Sequence, residues 1–247
     1  TLTSGDGTKT VYYQIEDWAG LLSTTYSDTI ILDTTAPTGS ISINAGASYT
    51  TSTSVILILA YSDTGSGVDK VRYSNDNVWD TEPWENPTTT RAWTLTTGDA
   101  GKVVSYQIRD MVGWPSTYSD VIVLDTHPPT GSIIINSDAT YTTSVSVTLT
   151  LTYSDATSGV HTVRYSNDNV WDTEPWENPS ATKTWTLPLA DGAKFVNYQM
   201  RDYAGLLSTT YSDTIILDTT APTGSMVIGS GNPTYTTSTS VTLYLTY

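Results

Sequence analysis

Residues 144–155, SVSVTLTLTYSD, alternate with a period of two: Val147, Leu149, Leu151 and Tyr153 fall on one side, Thr148, Thr150 and Thr152 on the other. Successive side chains of an extended chain point to opposite faces, so this alternation predicts a half-buried strand. The same reading places strands near 39–44, 53–62, 69–75, 91–96, 102–110 and 118–125, with a short extra strand or hairpin around the tryptophan-rich segment. Turn-forming letters separate them: NAGAS, DTGSG, NPTT, TGDAG and MVGWPS. No stretch carries a helical period. About seven short strands at this spacing predict an all-β fold built as an antiparallel two-sheet sandwich.

The pattern then repeats. Residues 71–87, VRYSNDNVWDTEPWENP, return letter for letter at 163–179, and residues 19–40 return at 204–225. Taking DT(T/H)(A/P)PTGS as the start of each unit sets boundaries at Asp33, Asp125 and Asp218. Two complete sandwiches are expected over 33–124 and 125–217, flanked by the C-terminal part of a repeat (1–32) and the N-terminal part of another (218–247). Neither flank is long enough to bury a full core. The chain therefore reads as a window of a longer array, or as a repeating subunit whose ends other copies complete.

Composition narrows the class. Ten Lys and Arg stand against 25 Asp and Glu, a net charge of −15, which excludes nucleic-acid binding by phosphate neutralisation and attraction to an anionic membrane. The acidic excess favours cations instead. Cysteine is absent, so no disulfide or thiolate chemistry enters. Abundant Thr and 17 Tyr suit strands whose outer faces meet water. No apolar run is long enough to cross a bilayer as a helix, so no membrane insertion is expected of this segment. No nucleophile elbow, P-loop or dinucleotide fingerprint is present, and the chain reads as a non-enzyme. The tripeptides NPT, NPS and NPT are blocked as N-glycosylation acceptors by their proline, while YTTSTS clusters offer sites for O-linked sugar. His127 and His161 have no counterparts in the other repeats and read as surface residues.

The succession RD(x)AG, YSDTIILDTTAPTGS, STSVTL and SDxxSGV resembles the immunoglobulin-like (Big-type) repeats of large bacterial adhesins and of archaeal surface-layer or filament proteins. The resemblance covers the whole chain. It implies a tandem array of immunoglobulin-like antiparallel β-sandwiches on the cell surface, an extracellular stalk, adhesin or filament often stiffened by calcium where sandwiches meet.

Topology leads to calcium by a separate route. In such a sandwich the first strand starts at the pole where the chain enters, and the strands ending near Asp63 and Asp110 finish at that pole. Asp33, Asp63, Asp69 and Asp110 should therefore converge, as should Asp125, Asp155 and Asp202, with His161 standing where Asp69 stood. Clustered carboxylates repel unless a cation bridges them, and hard oxygen ligands suit Ca²⁺. The alternative is that each Asp merely shapes its own turn.

Trp79 and Trp84, with their copies Trp171 and Trp176, lie among Asp76, Asp80, Glu82 and Glu85, a composition that suits binding of glycan or protein. The competing reading is scaffold, with these rings closing a sandwich edge and Trp93 and Trp185 buried in the next strand. On the outer face of the second strand, Ile56 and Ile58 replace the Thr148 and Thr150 of the next repeat, which suggests either lateral association or cover by a neighbouring element.

Overall fold

The computed structural model describes residues 1–230 and 234–247; the second NPT tripeptide, at 232–234, lies partly outside the described residues. The strands are β1 (Gly7–Tyr13), β2 (Tyr26–Leu32), β3 (Thr38–Ile43), β4 (Tyr49–Thr50), β5 (Ser54–Ser62), β6 (Val68–Ser74), β7 (Thr90–Thr94), β8 (Ala100–Asp110) and β9 (Pro115–Leu124). They continue with β10 (Thr130–Ile135), β11 (Tyr141–Thr142), β12 (Ser146–Ser154), β13 (Val160–Ser166), β14 (Thr182–Thr186), β15 (Gly192–Asp202), β16 (Tyr211–Leu217), β17 (Ser225–Ile228) and β18 (Leu243–Thr246). One 3₁₀ turn, Asn44–Gly46, is the only helical element among the described residues.

The fold is all-β, and each complete repeat is a seven-stranded immunoglobulin-like sandwich. In the first, a three-stranded sheet β3-β5-β7 faces a four-stranded sheet β4-β9-β8-β6; in the second the orders are β10-β12-β14 and β11-β16-β15-β13. Among the described residues β4 pairs with β9 and β11 with β16 in parallel, while β3–β5, β5–β7, β6–β8, β8–β9, β10–β12, β12–β14 and β15–β16 are antiparallel. The alternation in β5 buries Val55, Leu57 and Leu59 and leaves Ile56 and Ile58 about half exposed, so no neighbouring element covers that pair. Across the sandwich these residues meet Val104, Tyr106, Ile108 and Ile122 in one core. Tyr73 stacks on Tyr106 with ring centres 5.4 Å apart, and Tyr165 on Tyr198 likewise at 5.4 Å.

The chain changes sheet between β3 and β4. Asn44 and Ala45 adopt left-handed φ of 46° and 58°, followed by Gly46 at 83°. The Asn44 side chain stabilises the turn by accepting from the Ile56 amide at 2.9 Å. The Asp120 carboxylate accepts from the Ile43 amide at 2.7 Å, tying β3 to β9; Asp213 does the same for Ile135 at 2.6 Å. The glycine of each PTGS motif sits where strands approach closely. A Cβ on Gly39 would lie 2.6 Å from the Ala60 carbonyl oxygen, and one on Gly131 would lie 2.9 Å from the Met200 terminal methyl.

The chain divides into two compact units, one comprising Thr1–Pro129 with Asp155–Val160 and Arg201–Leu207, the other Thr130–Ser154, His161–Met200 and Ser208–Tyr247. The flanking hairpins show what sandwich formation buries. In the β1–β2 hairpin Val11, Tyr13 and Ile30 are 55%, 60% and 58% exposed, whereas the equivalent Val196, Tyr198 and Ile215 of β15 and β16 are at most 1% exposed. The hairpin β17–β18 likewise exposes Met226, Leu243 and Leu245.

Two sequence expectations are corrected. The tryptophan segment forms no strand or hairpin of its own; a single bridge, Val71 with Glu85, fastens it to β6, the edge strand of its sheet. Trp93 and Trp185 are half-buried rather than core residues. Their strand ends the three-stranded sheet, so one side of each indole stays at the surface.

Candidate metal centres

Asp33, Asp63 and Asp110 come together, each offering a carboxylate oxygen, and these atoms lie within 4.8 Å of one another; Asp125, Asp155 and Asp202 repeat the arrangement. Asp33, Asp110, Asp125 and Asp202 are buried. The first unit contains both clusters. The elements responsible are those the topology names: the residue after β2 or β9, the loop after β5 or β12, and the end of β8 or β15.

The turn reading of these acids is visible in their backbone hydrogen bonds. The Asp63 Oδ1 accepts from the Gly65 and Gly67 amides at 3.1 and 2.6 Å. Asp110 Oδ1 accepts from the amides of Val112, Gly113 and Trp114 at 3.0, 2.7 and 2.8 Å. In the second cluster Asp155 Oδ1 accepts from Thr157, Ser158 and Gly159, and Asp202 Oδ1 from Leu206 at 2.8 Å. One oxygen thus shapes the turn. The other oxygens of Asp110 and Asp202, Oδ2 in each case, are buried with no hydrogen-bond partner. An unsatisfied buried carboxylate oxygen is expensive, and buried polar atoms ordinarily find a partner.

Electrostatics distinguishes the members. Asp33 bridges the cluster to the loop after β5, accepting from Ser66 and Thr35 amides at 2.6 and 3.1 Å. Hydrogen bonding from Ser66, and then from Thr35, holds its carboxyl below the usual aspartate value. Asp202 moves the opposite way: burial raises its pKa, and the charges of Asp125 and Asp155 add to the rise. Gly65 is pressed against Asp33, since a Cβ there would lie 2.5 Å from the Asp33 carboxylate oxygens.

Asp69 does not join the first cluster. It pairs with Arg109 at 2.6 Å, because β6 has begun by residue 68 and turns this side chain along the strand pair β6–β8. His161 in its place is exposed. A separate set of acids, of which the sequence reading touched only Asp99, within the TGDAG turn, grips the segment that follows each last strand. Asp6 accepts from the Thr34 amide at 3.0 Å and from both the Thr34 and Thr35 hydroxyls. Asp191 does the same for Thr219 and Thr220. Asp99 grips Thr126, and its other contact is with His127 Nδ1 at 2.5 Å rather than a threonine.

The tryptophans form stacks with arginine. The Arg72 guanidinium carbon lies 4.8 Å from the Trp79 ring centre and 4.4 Å from that of Trp84, with Arg109 also over Trp84 at 4.6 Å. Arg72 Nε donates to the Gln107 side chain at 2.7 Å and Nη1 to the Trp79 carbonyl at 3.1 Å. Arg164 repeats this, 4.5 Å from both Trp171 and Trp176. A guanidinium held between two indoles fixes the loop against the sheet edge. The signal for it was present in sequence as the Arg of VRYSNDNVW, directly after a buried valine.

No family model and no curated protein sequence matches the chain. Among solved structures it is similar to the fibronectin(III)-like modules of Clostridium thermocellum CbhA, at 14% identity over 72% of this chain and 93% of that one, with a TM-score of 0.41. A tetra-tandem repeat in the extending region of a large adhesion protein aligns at 17% identity over 91% of this chain and 59% of that one, with a TM-score of 0.29. The FN1–FN3 domains of chicken CNTN1 align at 10% identity, covering 85% and 77%, with a TM-score of 0.38. The fold assignment rests on the strand order of each sandwich.

Proposed function

We propose that the chain is a structural, non-catalytic segment of an extracellular cell-surface protein, a stalk, adhesin or filament of Big-type immunoglobulin-like repeats, whose linkers are stiffened by calcium. The observation that carries this reading is the duplicated trio of carboxylates, each with one buried oxygen left without a hydrogen-bond partner while the others are anchored by backbone amides. Two carboxylate oxygens within 4.8 Å at an effective dielectric of about 20 repel by roughly 3–4 kcal/mol per pair, which a bridging cation relieves. All-oxygen carboxylate ligands suit a hard cation such as Ca²⁺. Asp33, Asp63 and Asp110 would hold one ion, and Asp125, Asp155 and Asp202 the other. The backbone hydrogen bonds to Oδ1 would orient these ligands, as outer partners do in metal sites generally. Extracellular modules bind Ca²⁺ at about 0.1–1 mM, so millimolar calcium is the range in which these sites should fill.

Calorimetry tests this. Calcium at ten times its dissociation constant should stabilise by about 1.4 kcal/mol per site, raising the melting temperature by about 5–10 °C relative to chelator. Magnesium should do less. The Asp125→Asn, Asp202→Asn double variant should lose the increment of the second site while keeping a β spectrum. Identical melting curves in chelator and in calcium would sink the metal reading and return these residues to turn formation alone.

A further inference from the structure

Each complete sandwich carries a recess beside the tryptophan loop, on which the arginine stacks do not draw. In the first sandwich it is lined by Asn75, Asp76, Thr81, Glu82, Pro83 and Trp93, and in the second by Asn167, Asp168, Thr173, Glu174, Pro175 and Trp185. One wall is the end of β6 or β13, another is the loop that the bridge to Glu85 or Glu177 fastens down, and the half-buried indole closes the third. The walls are preset. Trp93 Nε1 donates to Asn75 Oδ1 at 2.8 Å and Trp185 Nε1 to Asn167 Oδ1 at 2.8 Å, so the indole cannot swing away. Asn77 and Asn169 hold left-handed φ of 60° and 61°, which fixes the turn beyond Asp76 and Asp168. Asp76 and Asp168 accept from Ser74 and Ser166 through Oδ1 at 2.6 and 2.7 Å, and hydrogen bonding from those serines keeps both carboxyls ionised, below the usual aspartate value.

We propose that these two recesses are equivalent subsites for a neutral pyranose sugar of a glycan. The chemistry favours a polyol over a simple ion. A sugar hydroxyl both donates and accepts, and the recess supplies both functions close together: carboxylates of Asp76 and Glu82 as acceptors, the Thr81 hydroxyl as donor or acceptor, and in the first sandwich the Glu85–Arg91 ion pair, which presents acceptor and donor side by side. Arg91 and Lys183 already lie over the Tyr73 and Tyr165 rings at 4.7 and 5.0 Å, so the position an incoming cation would take on those aromatic faces is filled from within the protein. What remains is the exposed part of a half-buried indole, with Arg91 or Lys183 5.6 or 5.9 Å from its ring centre and a proline beside it, an apolar surface suited to the C–H face of a pyranose and ringed by a few convergent polar groups. Glu82 is the group best placed to contribute without holding the fold, since among the described residues it accepts from the adjacent Thr81 alone.

The test uses the full chain in calcium-containing buffer and again in chelator, with the methyl β-glycosides of glucose, galactose, mannose and N-acetylglucosamine as probes at up to tens of millimolar. The readout is the indole N–H resonances of Trp93 and Trp185. At least one glycoside should give saturable shifts at both resonances. The Glu82→Gln, Glu174→Gln double variant should weaken that binding about tenfold while leaving the melting temperature unchanged. Saturation in chelator as well as in calcium would separate this site from the metal centres, whose failure leaves it standing. The proposal is overturned if no glycoside shifts either indole, if the shifts survive the double variant, or if N-acetyl-lysine methylamide binds the recess and the sugars do not.

Discussion

At Asp202 burial and two neighbouring carboxylates together raise the pKa above the ordinary aspartate value. A carboxyl whose pKa is higher folded than unfolded adds stability when protonated and loses it as pH rises through the folded value. In chelator, acidification from neutral pH should therefore raise the stability contribution of this group, against the usual trend for paired carboxylates. In calcium the sign should reverse, because protons then compete with the ion for the same oxygen. Melting temperatures measured across the acid range in both buffers check this, and Asp202→Asn should flatten the difference. His127 gives a second pH signature. Its hydrogen bond to Asp99 raises the imidazole pKa, while Asp99 is pushed down to about 2, with the bond to His127 as the largest cause. The contact's contribution is fully present below the unfolded histidine value of about 6.5 and is lost as pH rises through the elevated folded value. A proton NMR titration should place the His127 midpoint above about 6.5, and Asp99→Asn should bring it down. The clamps of Asp6 and Asp191 hold threonines, so they should show no such dependence near neutrality.

Between neighbouring strands, side-chain volume decides more than propensity. Gly131 of β10 faces the Thr152 carbonyl and the Met200 thioether, so Gly131→Ala should cost on the order of 1–3 kcal/mol from overpacking, read as a lower urea midpoint with unchanged slope. Gly65→Ala tests a different contact: the added methyl meets the Asp33 carboxylate, so calcium dependence should fall at the first cluster while the second keeps its own. The glycines of PTGS were legible in sequence only as punctuation, since the close approach of β12 is invisible until the sheet is formed. The alternating strands were legible because Val147, Leu149 and Leu151 carry the burial pattern in their own spacing, but Tyr153, assigned to the same face, is exposed because it lies at the end of β12, past the core. The two-residue strands β4 and β11 were not, being too short for any period. Convergence of Asp33, Asp63 and Asp110 followed from topology, whereas the loss of Asp69 to Arg109 depended on the register of β6 with β8, which sequence does not specify.

Across the whole molecule the same letters meet different surroundings. Residues 19–32 and 204–217 are identical, yet Ile30 is 58% exposed and Ile215 is 1% exposed. Amide hydrogen exchange should therefore be at least about tenfold slower in β16 than in β2, although the two hairpins pair in the same way, because exchange reports the packing over a strand as well as its ladder. Equal rates would mean that the β1–β2 hairpin is covered in solution. The parallel pairings carry a mechanical consequence. Within the first sandwich, β4 follows the entering strand and β9 is the departing one, and the Val123 and Asp125 amides donate to the Ser48 and Thr50 carbonyls at 3.0 and 2.9 Å. Tension applied at the two ends of that sandwich drags parallel neighbours past each other, so these bonds share the load at once instead of opening one after another. The rupture force should then depend on this short latch more than on the equilibrium stability of the core, since forced unfolding is governed by the unfolding barrier. Asp125 donates the last bond of the latch and supplies a carboxylate to the cluster beside it, so an ion seated there would tighten the segment at the point where a pull arrives first.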